Sequence, residues 1–442
     1  MQKRKQDMNI VKEIFKHEVY PALGCTEPIS IAYAASVAAS EINEPVEQLK
    51  IVVDIGTYKN GRAVKVPNTN GERGNLIAGV LGALVGKPDY KMEILKAVTP
   101  DMIAQARAII KRPGISLEVD TTQQDIYISV DLVTKSHTSK CIIAKSHTSV
   151  YYYELDGIKK IDRLEEISVR QRLPYQIALE KLTVSDLIDL ATEIDDEDRK
   201  YVRRGVDMNL AISNAGKKLQ KVGWYLLDLQ SKNLLRDDVF SSSKIMTACA
   251  SDARMDGMPI PAMSSGESGN QGIVAILVPY NVGKYFNINE ATIIESITLS
   301  HLLNSYVKLW TGNLSPLCGC AIAAGVGATA AIVYQQNGKD MKGITLAINN
   351  LVSDIGGMFC DGAKSGCAFK VVSSTEAAIR AGYMGMNHYG LTELEGFIGC
   401  TVEETIKNLG KISAIGMAEV DSTMVDIMLN KSINVMNQTS SS

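Results

Sequence analysis

Cysteine is scarce in this sequence, with eight residues in a chain of 442, which excludes a disulfide scaffold as the basis of the fold. An excess of positive charge is also missing, because 46 Lys and Arg are set against 49 Asp and Glu. Nucleic acid is therefore not an expected partner, since phosphates are bound by clustered cations. No apolar segment follows the charged N-terminus MQKRKQDMNIVKEIFKHEVY, so we predict no secretory signal, a cytoplasmic location and reduced thiols.

Long runs of large apolar residues are absent as well. LCGCAIAAGVGATAAIVY, residues 317–334, carries no formal charge, but a membrane span needs roughly 20 residues rich in Leu, Ile, Val or Phe. This run consists mainly of Ala and Gly, and LIAGVLGALVG at 76–86 is too short. We expect no membrane partner and predict that the uncharged run is a helix packed centrally in a helical domain, where small residues allow close approach.

Several catalytic signatures are missing. The sequence has no C-x2-C pair, no HExxH, no G-x-S-x-G elbow, no Walker loop and no G-x-G-x-x-G fingerprint between a strand and a helix. These absences disfavour zinc-finger, zinc-protease, serine-hydrolase, kinase and dinucleotide-enzyme functions.

The patterning predicts an α+β protein. LKIVVDIGTYKNGRAVKVPNT alternates like a strand pair around a turn at 59–61, and four β-rich runs follow Gly114. We predict an α+β insert at 49–160 within a discontinuous, predominantly helical domain at 1–48 and 161–442, to which the N-terminal helices return. Thr183 and Asp186 have capping-box spacing. Further helices are predicted near 199–221, 241–254, 289–309, 317–334, 341–352, 375–381 and 402–408.

Four glycine-containing segments could carry chemistry, namely GCTEP (24–28), SSGESGNQG (264–272), LCGC (317–320) and CDGAKSGC (360–367). Together they hold five of the eight cysteines, and an iron–sulfur cluster accepts ligands from separate loops. Within a regular helix Cys318 and Cys320 would point apart, so we expect one ligand and one packing residue. Cys25 precedes a predicted helix, whose dipole favours a thiolate.

SSGESGNQG can turn backbone N–H groups towards an anion such as a carboxylate, although a plain surface connection fits the same pattern. PNTNGERGN at 67–75 raises the same question and offers Arg73 as a carboxylate partner.

The segments PALGCTEPISIAYA, SGESGNQGI, PLCGCAIAAGVGATAA and DIGGMFCDGAKSGCAFKV resemble the L-cysteine desulfidase family, relatives of the α chain of iron–sulfur L-serine dehydratases. The resemblance extends from about residue 9 to 430. It implies a [4Fe–4S] enzyme that splits L-cysteine into sulfide, ammonia and pyruvate. The expected substrate is a small amino acid, and the expected oligomeric state is a homodimer.

The resemblance also implies roles for individual residues. The desulfidase pattern places three cluster ligands at Cys25, Cys320 and Cys360, whereas the dehydratase pattern replaces Cys25 by Cys367. Three thiolates leave one iron open as a Lewis acid, and a soft substrate thiolate binds such an iron well. The glycine-rich loop, with Ser268, Gly269 and Asn270, would then hold the substrate carboxylate.

The general base is not fixed by the sequence. KSHTS occurs at 135–139 and again at 145–149, and the second copy is closer to the family's SHT segment. The candidate bases are Cys25, Glu27, His147 and Lys364. Three alternatives stay open: an L-serine dehydratase, a pyridoxal-phosphate lyase with Lys364 as Schiff base, and a non-catalytic iron–sulfur sensor.

Overall fold

The computed structural model describes residues 8–123, 125–168 and 172–439 of the chain. The charged residues 1–7, which contribute to the expectation about a secretory signal, lie outside this range. The described residues form a predominantly helical α+β fold, which confirms the predicted class.

The helices of the first half are α1 (Ile10–Glu18), α2 (Thr26–Ala39), α3 (Ile55–Gly61), α4 (Asn75–Val85), α5 (Pro100–Ile109), α6 (Glu165–Ser168), α7 (Pro174–Leu179), α8 (Val184–Thr192) and α9 (Asp196–Gly216). Those of the second half are α10 (Val222–Ser231), α11 (Val239–Met255), α12 (Gly269–Tyr285), α13 (Glu290–Thr311), α14 (Ala323–Asn337), α15 (Met341–Ile355), α16 (Cys367–Met386), α17 (Val402–Lys411) and α18 (Val420–Thr439). A 3-10 segment covers Pro88–Ala97 and a π-helical turn Ile412–Gly416.

The strands are β1 (Pro21–Ala22), β2 (Gln48–Asp54), β3 (Ile115–Asp120), β4 (Tyr127–Val133), β5 (Thr138–Ala144), β6 (Val150–Leu155), β7 (Ile158–Asp162) and β8 (Ala262–Met263). Strands β1 and β8 pair with each other, and the other six form a sheet in the order β3-β2-β4-β5-β6-β7. In that sheet β2 and β3 are parallel, with Leu49 opposite Ile115, and the remaining pairs are antiparallel.

The predicted strand pair around residues 59–61 is wrong. Strand β2 ends at Asp54, whose side chain accepts a hydrogen bond from the backbone N–H of Thr57 at 2.8 Å. This N-cap starts helix α3, which continues to Gly61. A strong cap therefore overrides the alternating pattern of the following residues.

Helix α2 is buried along its whole length and shares a core with the sheet, α4 and the 3-10 segment. The expectation that both N-terminal helices pack with the helical body is therefore wrong for α2, whereas α1 does pack there through Ile14 and Phe15. A helix that is apolar on all sides needs neighbours all round, and the sheet supplies one of them. The domain boundaries themselves stay a prediction.

Helix α14 is the central helix of the second core, where it packs against α12, α13, α15 and α16. It begins at Ala323, so the predicted helix start at 317 is wrong. Residues 319–322 form turns instead, with the N–H of Ile322 bonded to the carbonyl of Cys318 at 2.9 Å. Among the described residues, no helix is long and apolar enough to cross a membrane.

Other predicted helices match the structure more closely. The capping box of Thr183 and Asp186 opens α8 as predicted, and the predicted segments at 241–254, 289–309, 341–352 and 402–408 correspond to α11, α13, α15 and α17. Helix α16 is longer than its predicted segment 375–381, and α12 begins at Gly269, inside the glycine-rich segment SSGESGNQG.

Gly82→Ala is expected to destabilise the fold. A Cβ at this position would lie 2.0 Å from the backbone oxygen of Ala32 on helix α2, and backbone cannot rotate away. Overpacking costs about 1–3 kcal/mol, which exceeds the gain of roughly 1 kcal/mol in helix propensity. The thermal midpoint of Gly82→Ala should therefore fall, whereas Gly357→Ala, with nothing within 4 Å of its Cβ, should match the unsubstituted protein.

Candidate functional site

A cavity of about 80 Å³ lies where the two cores meet. Its walls come from the N-terminal ends of α2 and α12, the segment between α13 and α14, and the loop that leads into α16. A single water needs roughly 10–15 Å³ by this measure. The cavity therefore has room for a small molecule.

Five of the eight cysteines line this cavity: Cys25, Cys318, Cys320, Cys360 and Cys367. Two backbone hydrogen bonds join the LCGC and CDGAKSGC segments, from Cys318 N–H to the Met358 carbonyl at 2.8 Å and from Cys360 N–H to the Pro316 carbonyl at 2.6 Å. Because these loops pair, the four thiols of the two segments line the same cavity.

Cys318 and Cys320 both face the cavity because they precede helix α14 instead of lying within it. We had expected only one of the two cysteines to be a ligand because residues two apart in a regular helix point in different directions. Cys318 and Cys320 do not lie in a regular helix, so this restriction does not apply. A side-chain hydrogen bond from Cys320 lowers the pKa of Cys318 to about 6, and the same bond raises the pKa of Cys320.

Cys25 is the N-cap residue of α2 and is buried. Its Sγ donates a hydrogen bond to Oε2 of Glu27 at 2.8 Å. Burial, together with the negative charge of Glu27, raises the pKa of Cys25 well above its usual value. Desolvation and a neighbouring carboxylate thus oppose the effect of the helix dipole on this thiol.

Glu27 and Asn60 connect Cys25 with the second cysteine segment. Nδ2 of Asn60 donates to the other Glu27 oxygen at 2.8 Å, and the Sγ of Cys360 lies 3.9 Å from Oδ1 of Asn60. Burial favours protonation of Glu27, but the positive charge of His147 and two hydrogen bonds outweigh it and hold the pKa of Glu27 below its usual value.

His147 and Glu267 form a buried pair that also lines the cavity. Nδ1 of His147 lies 2.9 Å from Oε2 of Glu267, which also accepts the backbone N–H of His147 at 3.2 Å. Nε2 of His147 is buried without a hydrogen-bond partner among the described residues. Burial lowers the pKa of His147, but the hydrogen bond and charge of Glu267 outweigh it and raise the pKa above its usual value.

The first KSHTS copy lies elsewhere. His137 is half-buried and pairs with Asp156 at 2.8 Å, and it does not line the cavity. The repeated pentapeptide therefore places one histidine at the surface and the other, His147, at the cavity.

The glycine-rich loop contributes Ser268, the N-cap of α12, and Asn270 to the cavity wall. Gly269, Arg73 and Lys364 do not line the cavity. Gly269 does not line the cavity and instead packs against Arg254. The expected carboxylate contact of Arg73 is wrong, because this exposed side chain donates to the Ala63 carbonyl at 2.7 Å.

Lys364 does not line the cavity either. It forms an ion pair with Asp361 three residues earlier, and burial lowers its pKa. The ammonium of Lys364 is thus directed to a carboxylate within its own loop, and its role as base or Schiff base stays a prediction.

Sequence reasoning missed several polar residues at the cavity: Asn60, Arg254, Glu267, Gln271, Lys308 and Lys370. Glu267 could have been found from the sequence, because it lies inside the SSGESGNQG segment that was already identified as a candidate site. Arg254 and Lys308 lie at the ends of ordinary helices, where nothing in the sequence separates them from solvated charges.

The donor set fits an iron–sulfur cluster. Among residues 8–123, 125–168 and 172–439, no three His, Cys, Asp or Glu side chains are spaced to hold a single metal ion. A cubane, however, binds each thiolate through a different iron atom and accepts ligands from separate loops. The five thiols of the cavity match that requirement in chemistry and in origin.

Comparison with known proteins adds family relationships. The model described as serine dehydratase alpha chain matches residues 89–426. A UPF0597 protein of Elusimicrobium minutum is 55% identical over 96% of this chain and 100% of its own length. UPF0597 proteins of Geobacter sulfurreducens and Caldanaerobacter subterraneus are 52% and 38% identical, over 96% and 97% of this chain and 99% and 100% of their own lengths.

Proposed function

Because this chain belongs to the serine dehydratase α-chain family, we propose that it is an iron–sulfur lyase that cleaves L-cysteine into sulfide, ammonia and pyruvate. The observation that carries this proposal is a single cavity lined by five thiols and by the buried imidazole of His147. The family description supports the lyase class. The choice of L-cysteine as the substrate is our proposal.

Cys320 and Cys360 are the proposed cluster ligands, with Cys25 as the third and Cys367 as its alternative. Cys25 and Cys367 lie against the same small apolar group, which contains Val64, so either thiol is near the same part of the cavity. A bound [4Fe–4S] cluster with one iron free of protein ligands supplies a Lewis acid for the leaving group.

His147 is the proposed general base. Glu267 holds the Nδ1–H of the imidazole, so Nε2 carries the lone pair that accepts the proton from Cα of the substrate. The electron pair of the broken Cα–H bond forms the Cα=Cβ double bond, and the Cβ–S bond breaks with release of sulfide. The resulting aminoacrylate tautomerises and hydrolyses to pyruvate and ammonia.

Ser268 and Asn270, at the start of helix α12, are the proposed contacts of the substrate. The first N–H groups of a helix have no acceptor within it, and this helix end has no side-chain cap. An anionic group of the substrate is therefore favoured at this place.

L-Serine is a second candidate substrate, which the printed family description favours. Its elimination would use the same base and the same wall of thiols, with a hydroxyl as the leaving group. A hard oxygen and a soft sulfur differ in their preference for iron, so comparative turnover separates the two functions.

The deciding experiment is anaerobic purification and reconstitution with iron and sulfide, followed by pyruvate measurement with L-cysteine or L-serine. We expect iron and acid-labile sulfide in the protein, and a kcat/KM that is higher for L-cysteine. A higher value for L-serine would assign the dehydratase function instead. A cluster-loaded protein that releases pyruvate from neither amino acid would contradict the lyase proposal and favour a sensor.

A further inference from the structure

We infer that Arg254 binds the α-carboxylate of the substrate and makes the cavity selective for amino acids over the corresponding amines. This inference rests on the proposed function, because it assigns a recognition residue to the same cavity. The guanidinium takes the place that sequence reasoning gave to Arg73, which lies outside the cavity.

Arg254 is a buried cation that forms no direct ion pair with a described carboxylate. Its side chain lines the cavity, and the residue is 2% exposed. Within the described part of the chain its Nε has no hydrogen-bond partner, and no Asp or Glu forms an ion pair with it. An unpaired buried charge is strongly unfavourable, so a guanidinium in this setting indicates a site that an anionic ligand completes.

The other cations of the cavity are already engaged. Lys308 donates to the carbonyl oxygen of Gly266. Lys370 pairs with Asp361 and donates to the carbonyl oxygen of Phe359 at 2.8 Å. Among the described residues of the cavity, Arg254 is therefore the cation that remains for a ligand.

Helix α12 fixes the position of the guanidinium. A Cβ on Gly269, the first residue of that helix, would lie 2.2 Å from Nε and 2.8 Å from Cζ of Arg254. The absence of a side chain at 269 therefore lets the guanidinium lie directly beside the helix N-terminus. Positive charge and unbonded N–H groups converge there, and Arg can hold a carboxylate through two parallel hydrogen bonds.

Two further buried side chains complete the site. Oδ1 of Asn270 and Oε1 of Gln271 have no hydrogen-bond partner among the described residues, and both side chains line the cavity. These acceptors match the α-ammonium group of an amino acid, and the carboxylates of Glu27 and Glu267 supply negative charge nearby. The cavity thus offers opposite charges for the two ends of a zwitterion.

L-Alanine and ethylamine test this inference without turnover, because alanine keeps both charged groups but has no leaving group. Thermal unfolding of the reconstituted protein should shift upwards with L-alanine and stay unchanged with ethylamine, since a ligand stabilises the folded state that binds it. Arg254→Gln should lose the L-alanine shift. Arg254→Lys should keep part of it, because the positive charge remains but the two parallel hydrogen bonds of the guanidinium are lost. Arg73→Gln is the matched control and should behave like the unsubstituted protein.

Kinetics provide the second measurement. Arg254→Gln should raise the KM for L-cysteine by about 100-fold, with a smaller change in kcat and unchanged iron content. Gly269→Ala, which keeps the arginine but displaces it, should raise KM in the same direction and covers the case in which Arg254→Gln fails to fold. An unchanged KM together with a full L-alanine shift in a folded Arg254 or Gly269 variant would overturn the inference.

The outcomes also separate the inference from the function on which it rests. Pyruvate formation with an unchanged KM in Arg254→Gln would leave the lyase intact and remove the carboxylate site. An Arg254-dependent L-alanine shift in a protein that forms no pyruvate would support the site and contradict the lyase.

Discussion

Alanine at Cys320 or Cys360 is expected to abolish retention of iron and, with it, all lyase activity. Both thiols line the cavity, and backbone hydrogen bonds join the two loops that carry them. A cluster with three protein thiolates that loses one of them keeps too few ligands to survive desalting. Iron and acid-labile sulfide per chain, measured after anaerobic reconstitution and gel filtration, should fall to background.

Cys141→Ala and Cys249→Ala are the matched controls for the loss of iron. Both thiols are completely buried, yet neither lines the cavity. These variants should retain the iron of the unsubstituted protein, even where a small cavity lowers the thermal midpoint. Normal iron content in purified Cys320→Ala would contradict the ligand assignment.

The same measurement distinguishes the third ligand. Loss of iron in Cys25→Ala with retention in Cys367→Ala would support the desulfidase ligand pattern, and the reverse would support the dehydratase pattern. Substitution of the cysteine that is not a ligand should leave the iron content unchanged, although the two thiols lie against the same small apolar group.

Glu267→Gln is expected to lower kcat by about 10²–10⁴-fold, the range that a general base contributes. The carboxylate accepts the Nδ1–H of His147 at 2.9 Å, which fixes the tautomer that leaves Nε2 free. An amide is nearly the same size but stabilises the resulting imidazolium far less. Iron content should not change, so the loss of kcat is separable from a loss of the cluster.

The pH dependence gives this prediction a second readout. The pKa of His147 is raised because Glu267 favours the imidazolium, and a base must be neutral to accept a proton. The rate of the unsubstituted enzyme should therefore rise as pH increases through this raised pKa. In Glu267→Gln burial dominates and lowers the pKa, so this limb of the kcat/KM profile should move to lower pH.

Asp156→Asn is the matched control for Glu267→Gln, because it breaks the corresponding pair with His137 in the other KSHTS copy, which has a similar length of 2.8 Å. That pair lies at the surface, outside the cavity, so kcat and the pH profile should stay unchanged. An unshifted pH profile in Glu267→Gln would argue against His147 as the base.

Local interactions explain why part of the fold could be predicted. The capping box at Thr183 and the apolar periodicity of α8 and α17 act within a few residues, so the sequence displays them directly. The hairpin prediction at 59–61 failed because one side chain, Asp54, forms a cap that competes with the alternating pattern.

The sequence alone determined the fold class, most of the longer helices and the segments that form the cavity, because helix periodicity, caps and glycine-rich motifs are local. Tertiary structure decided which side chains meet there. In the folded protein His147 contacts Glu267, and the LCGC loop is hydrogen-bonded to the loop that carries Cys360. Arg254, and not Arg73, lines the cavity. Such contacts join residues far apart in the chain, and burial changes charges and pKa values in ways that no short stretch of sequence records.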